Sequence, residues 1–182
     1  MAESDAHTTL RLPVLTPTAR VLIVCAPYYR AIADGLISGA TATLEAAGAQ
    51  IEMAEVPGAL EIPVAIRLID AKQPFDGYVA LGCVIRGETT HYETVCNDSA
   101  RGLMMLGVDR GLCIGNGILT CENMAQAEAR ANPEDMNKGG GAAAAALHLI
   151  ALARRYAPQT PPMPTNPEDL LLAGGTGLNR TA

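Results

Sequence analysis

Tyr78-Val-Ala-Leu-Gly-Cys-Val-Ile-Arg-Gly-Glu-Thr-Thr-His-Tyr-Glu93 changes character halfway along. Tyr78 to Val84 is a continuous apolar run, the pattern of a strand buried on both faces. An amphipathic segment begins near Thr90, and the residues between hold a Gly, an Arg, two Thr and a His. The stretch therefore reads as strand, loop, helix. Open α/β sheets bind their ligands at such loops, at the carboxyl ends of strands. The free N–H groups of a helix start carry partial positive charge and suit a phosphate. Histidine is the side chain whose ordinary pKa lies near neutrality, so His91 is suited to giving and taking a proton.

The same grammar repeats on either side. Val21 to Ala26 is a first core strand. Ile32 to Ala47 is a helix with Leu36, Ile37, Ala40 and Leu44 on one face, ended by Gly48. Gln50 to Val56 is a second strand, anchored by Ile51, Met53 and Val56. Pro57-Gly58 turns into a helix from Ala59 to Ile69, and Lys72 to Gly77 is a loop rich in breakers. After the opening stretch, Tyr92 to Leu106 is a helix facing inward through Val95, Ala100, Leu103 and Leu106, with Gly107 as its cap. Leu112 to Leu119 is a fourth strand. Met124 to Ala131 is a short helix, with Thr120 as cap residue and Pro133 behind it. A loop from Asn132 to Lys138 and three glycines lead into a last helix, Ala142 to Tyr156. Its many alanines allow close packing and suit a subunit interface around a central axis. This alternation predicts a three-layer α/β/α sandwich around a mainly parallel four-stranded sheet. Leu10 to Leu15 is either an added edge strand, since Pro13 forbids a central one, or part of a disordered start. The expected division is an N-terminal arm (1–19), a domain (20–156) and a Pro/Gly-rich, disordered tail (157–182).

Composition narrows the function. The chain has 182 residues and 49% apolar content, enough for one domain with a sizeable core. One Phe, five Tyr and no Trp leave that core to Ala, Val, Leu and Ile. A net charge of −6 argues against nucleic acid, which needs clustered Lys and Arg. No apolar run has the length of a membrane span. Cys25, Cys83, Cys96, Cys113 and Cys121 form no Cys-x-x-Cys pair. They read as buried free thiols in a reducing, cytoplasmic setting, and no metal site is expected. His7 and His148 have no partners in sequence and are read as bystanders.

Gly82-Cys-Val-Ile-Arg-Gly-Glu-Thr-Thr-His91 resembles the signature of the lumazine synthase family. Three further stretches agree in order and spacing: Val56-Pro-Gly-Ala-Leu-Glu-Ile-Pro63, Gly117-Ile-Leu-Thr-Cys-Glu-Asn123 and Asn137-Lys-Gly139. Together they cover about Arg20 to Tyr156. The resemblance implies a flavodoxin-like fold and a cofactor-free condensation. The substrates would be 5-amino-6-(D-ribitylamino)uracil and 3,4-dihydroxy-2-butanone 4-phosphate, and the products 6,7-dimethyl-8-ribityllumazine, phosphate and water. In the implied sequence of steps the amine attacks the ketone to give an imine, phosphate leaves, the ring closes and water is lost. His91 would shuttle protons.

By the same resemblance Tyr28 would stack on the pyrimidine. Ala59, Leu60 and Glu61 would bind the ribityl hydroxyls, where a carboxylate accepts from many donors. The backbone of Cys83, Val84 and Ile85 would meet the uracil ring, beside Asn116. Glu88 (through its N–H), Thr89, Arg130 and Lys138 would hold the phosphate. Arg suits that role because its planar fork meets phosphate oxygens bidentately. Arg130 would come from a neighbouring subunit of a pentamer or a multiple of one. Arg86 reads as a structural cation or an ion-pair partner across a subunit contact. Three departures from the family pattern are visible: Asn116 where many members carry Phe, Gly141 where an acid is common, and Pro27-Tyr28-Tyr29 in place of Arg-aromatic-Asn. The alternatives are a non-catalytic flavin- or lumazine-binding or shell-forming protein and an electron carrier. The electron carrier's phosphate loop would follow the first strand, and Pro27-Tyr28-Tyr29 lacks the Ser/Thr it needs.

Overall fold

The computed structural model describes residues 10–157. Within them β1 (Arg20–Cys25), β2 (Gln50–Glu55), β3 (Gly77–Ile85) and β4 (Ile114–Cys121) form one all-parallel sheet in the order β2-β1-β3-β4. The helices are α1 (Arg30–Ala46), α2 (Glu61–Asp70), α3 (His91–Arg110), α4 (Met124–Ala131) and α5 (Lys138–Arg155). Side chains alternate across the central strands. Val21, Ile23, Cys25, Val79 and Leu81 enter a core with α1, α4 and α5. Leu22, Val24, Tyr78 and Ala80 enter a second core with Ile62 and Ile66 of α2 and Leu103 and Leu106 of α3. Burial on both faces explains why these strands read as unbroken apolar runs. Leu36, Leu44, Leu147 and Ile150 are fully or almost fully buried, each contributing on the order of 2 kcal/mol.

The chain leaves β1 toward β2 in one direction and returns to β3 in the other. The switch point therefore lies between β1 and β3, and their carboxyl ends border a crevice.

Several local expectations change. Gly107 lies inside α3, which runs a turn further and ends at Gly111 in the left-handed region (φ 70°). Only a residue free of Cβ strain stops the helix cheaply there. Thr120 belongs to β4, and the cap of α4 is Asn123, whose side chain accepts from Gln126 N–H at 3.0 Å. The three glycines are not a loop. They form the first turn of α5, behind Asn137, which is left-handed (φ 43°) and accepts from Gly140 N–H at 3.0 Å. A methyl group on Gly139 would collide with the Leu36 carbonyl, so the glycines let α5 press onto α1. Three of the α5 alanines, Ala142, Ala143 and Ala146, are buried within the chain against β4 and α1, whereas Ala145 and Ala153 are exposed. Gly115 on β4 has no room for a side chain beneath the Ala142 carbonyl. Met53 is no anchor; it is exposed on the edge strand β2.

Residues 10–19 form no strand, so β2 is the sheet edge on that side. The polar start, His7 and, beyond Ala157, the Pro/Gly-rich tail lie outside the described residues. Among the described residues no helix is long and apolar enough to cross a membrane.

Candidate active site

The carboxyl ends of β1, β2 and β3 enclose a cavity of about 400 Å³. β1 supplies Ala26 and the following Tyr28 and Tyr29, and the turn after β2 supplies Pro57 to Glu61. β3 supplies Cys83, Val84 and Ile85, and α3 supplies His91 and Val95. Eight of the predicted site residues thus meet in one place: Tyr28, Ala59, Leu60, Glu61, Cys83, Val84, Ile85 and His91. Each is there for a local reason. Pro57-Gly58 bends the chain so that Ala59 and Leu60 form a turn, and α2 starts only at Glu61. Glu61 folds back over Gly58, where a Cβ would lie 2.9 Å from its Oε2. His91 is the first residue of α3 and is exposed; its N–H donates to Thr89 Oγ1 at 3.4 Å. The imidazole is therefore presented to the cavity and not folded into the core.

Tyr28 is 75% exposed, with its ring edge-on to Tyr29 at 5.0 Å and 73°. The T-shaped contact steadies the ring while most of it stays exposed. Cys83 is buried, and burial above all pushes its thiol up to about 12. Such a thiol stays protonated and inert, so Cys83 contributes wall and backbone and no nucleophile.

Asn116, Arg130 and Lys138 are not in this cavity. They line a second one, of about 420 Å³, bounded by β4, the end of α4 and the start of α5. Arg130 is half-buried, and its Nη1 donates to the Gln126 carbonyl at 3.1 Å. Asn116 uses its Oδ1 to accept from Ile118 N–H at 3.0 Å, which leaves its amide N–H groups uncommitted. Gly141 lines the same cavity, and a Cβ there would meet nothing within 4 Å. The acid common in the resembling family would fit; this chain simply lacks it. Glu88 and Thr89 line neither cavity and stand exposed on the β3–α3 loop.

Sequence reasoning misses Ala26, Tyr29, Pro57, Gly58 and Val95 as cavity walls. Pro57 belongs to a motif stretch, but its residue type signals only a turn. Among the described residues no group of three His, Cys, Asp or Glu is placed to hold a metal ion.

A parallel α/β sheet with a polar-tipped cavity at its switch point defines the class: a small-molecule-binding α/β domain with an exposed histidine at the cavity wall. Residues 18–154 match the model of the family described as 6,7-dimethyl-8-ribityllumazine synthase. Proteins of that name are similar over most of their length. The one from Jannaschia sp. (strain CCS1) is 52% identical over 147 residues, covering 81% of this chain and 82% of its own. That of Methylorubrum extorquens (strain PA1) is 59% identical over 140 residues, covering 74% and 81%. That of Novosphingobium aromaticivorans is 56% identical over 138 residues, covering 76% and 99%. The chain belongs to the 6,7-dimethyl-8-ribityllumazine synthase family.

Proposed function

We propose that this protein condenses 5-amino-6-(D-ribitylamino)uracil with 3,4-dihydroxy-2-butanone 4-phosphate to give 6,7-dimethyl-8-ribityllumazine, the transferase step of riboflavin biosynthesis. Family membership carries the reaction and disfavours a merely binding or shell-forming role. One observation carries the arrangement: eight candidate residues line one cavity of the chain, while Asn116, Arg130 and Lys138 line a second, separate one.

The first cavity suits the pyrimidine. Tyr28 offers a face for stacking, and the backbone of Cys83, Val84 and Ile85 offers donors and acceptors at a strand end. Glu61, with the turn at Ala59 and Leu60, accepts from the ribityl hydroxyls. The second cavity supplies the cations the first lacks, Arg130 and Lys138, with Asn116 donating to a ring carbonyl. Brought against the first cavity of a neighbouring subunit, Arg130, Lys138, Thr89 and the Glu88 N–H surround the phosphate. His91 then moves protons as the imine forms and the ring closes. Holding two substrates together supplies much of the rate, and the cations stabilise the departing phosphate. No redox group is required by this chemistry.

The assembly is a homopentamer or a multiple of one, with its sites at subunit boundaries. Val64 and Leu68 of α2 and Met104, Met105 and Val108 of α3 are exposed apolar side chains that such contacts would cover. Residues 20–156 form the catalytic unit, and all five cysteines are free, which supports a reducing, cytoplasmic setting.

Incubating the protein with both substrates and following product absorbance tests the reading. Product is expected; tight retention of lumazine or flavin without turnover would contradict it.

A further inference from the structure

Arg86 lines neither cavity, yet its bonds run toward both. Its Nε donates to Glu122 Oε2 at 2.7 Å, its Nη1 pairs with Glu93, and its guanidinium carbon lies 4.1 Å from the centre of the Tyr92 ring. The hydrogen bond from Arg86 holds the Glu93 carboxyl below the usual carboxylate range. Glu93 lies in the first turn of α3, two residues beyond His91. Glu122 leads into α4: its N–H donates to Gln126 Oε1 at 3.0 Å, and the Gln126 carbonyl accepts from Arg130. One guanidinium thus ties an acid beside His91 to an acid beside the helix that carries Arg130.

Stability does not account for this arrangement. The three side chains are 39%, 47% and 56% exposed, and exposed ion pairs contribute little to folding. The local charge does account for it. Glu88, Glu93 and Glu122 flank the loop proposed to hold a phosphate, and unpaired carboxylates there would repel that anion.

Resting on that functional reading, we propose that Arg86 is a positioning residue for the phosphorylated substrate. It acts through Glu93 and Glu122, keeping both carboxylates neutralised and drawn onto itself, so that loop 87–90 offers N–H groups to the phosphate.

Steady-state kinetics of R86Q, E93Q/E122Q, R86Q/E93Q/E122Q and R130A, each against both substrates at low and high salt, tests this. R86Q is expected to raise KM for the phosphorylated substrate about five- to tenfold at low ionic strength, and less at high salt. KM for the pyrimidine and the melting temperature stay near wild type. The triple variant returns KM toward wild type, a rescue that a purely structural tie would not give. An unchanged KM in R86Q, or an equal rise for both substrates without rescue, overturns the proposal. Should R86Q fail to fold, E93Q/E122Q decides: it leaves Arg86 uncompensated and is expected to lower KM for the phosphorylated substrate at low salt, and an unchanged value overturns the proposal. If R130A raises that KM while R86Q does not, the phosphate reading stands and the role of Arg86 falls. If neither variant moves it, both fall.

Discussion

The two cavities are of nearly equal size, about 400 and 420 Å³, but opposite in make-up. The first is cut into the middle of the sheet, where the chain reverses direction between β1 and β3. It carries an open tyrosine face, strand-end backbone, Glu61 and His91. The second hangs on the edge strand β4 and carries Arg130, Lys138 and Asn116. One has a histidine and no Lys or Arg; the other has Arg130 and Lys138 and no histidine. On the proposed reading, neither alone suffices for a reaction between a neutral polyol-bearing ring and a phosphate ester. The difference then means that each cavity holds half of one site, the two halves being supplied by different copies of the chain.

The largest expected effect strikes the first cavity. His91→Ala should lower kcat by about 100-fold or more, the usual contribution of a positioned acid–base group. Its melting temperature should not change, because the side chain is exposed. Wild-type turnover would remove His91 from the mechanism.

Arg130→Ala strikes the second cavity and should do something different in kind. KM for the phosphorylated substrate should rise about 10- to 100-fold, the worth of a charge-assisted hydrogen bond, with the pyrimidine KM little changed. Equal weakening of both substrates would erase the contrast between the cavities.

The first turn of α5, beside the second cavity, gives a sharper pair. Gly139→Ala should destabilise the fold by about 2 kcal/mol or more, since the methyl group meets the rigid Leu36 carbonyl. Gly141→Ala, on the same helix turn but facing open space, should stabilise by about 0.5–1 kcal/mol. Denaturant melts of the two variants check the signs; matching signs would mean that α5 does not start at Lys138.

The smallest effect near neutrality concerns the first cavity's wall. Burial raises Cys83 to about 12 and Cys25 to about 11, and it raises Tyr78, with a hydrogen bond to Asp70, to about 12. Raised folded values mean stability that is fully present below the unfolded values, 9.0 for the thiols and 10.0 for the phenol. That stability is lost as pH climbs toward the folded values. The melting temperature should be flat up to about pH 8.5 and fall above about pH 9, and Cys83→Ser should flatten that alkaline slope.

Much of the fold is legible in the chain. The strands declare themselves because both faces of the sheet are covered, and an apolar run as short as Val21 to Ala26 fits a doubly buried strand better than a helix. The eight residues of the first cavity are legible because three loops end on one switch point, two of them carrying a family motif and the third an aromatic, Tyr28, where the family usually has one. The ends of α3 and α5 are not. Gly107 and Gly111 look alike in sequence, and only the backbone tells which one is left-handed. The triple glycine reads as a breaker by propensity, yet close contact with α1 outweighs that propensity. Thr120 and Asn123 are both good caps, and pairing of β4 with β3 out to Cys121 decides between them. The family resemblance implies that Arg130 comes from a neighbour, but residue types alone do not show that Asn116, Arg130 and Lys138 gather apart from His91, because that depends on which edge of the sheet each loop leaves from.

The claim at the centre is that one site needs His91 from one subunit and Arg130 from another. Coexpressing His91→Ala and Arg130→Ala chains in equal amounts tests it most directly, with product formation measured at low phosphorylated substrate. Each variant alone should be close to inactive. Random mixing in a ring should restore about a quarter of the native sites, because about one contact in four pairs the two intact halves. Mixed assemblies no more active than the separate variants would place both residues in a single-chain site and contradict the account.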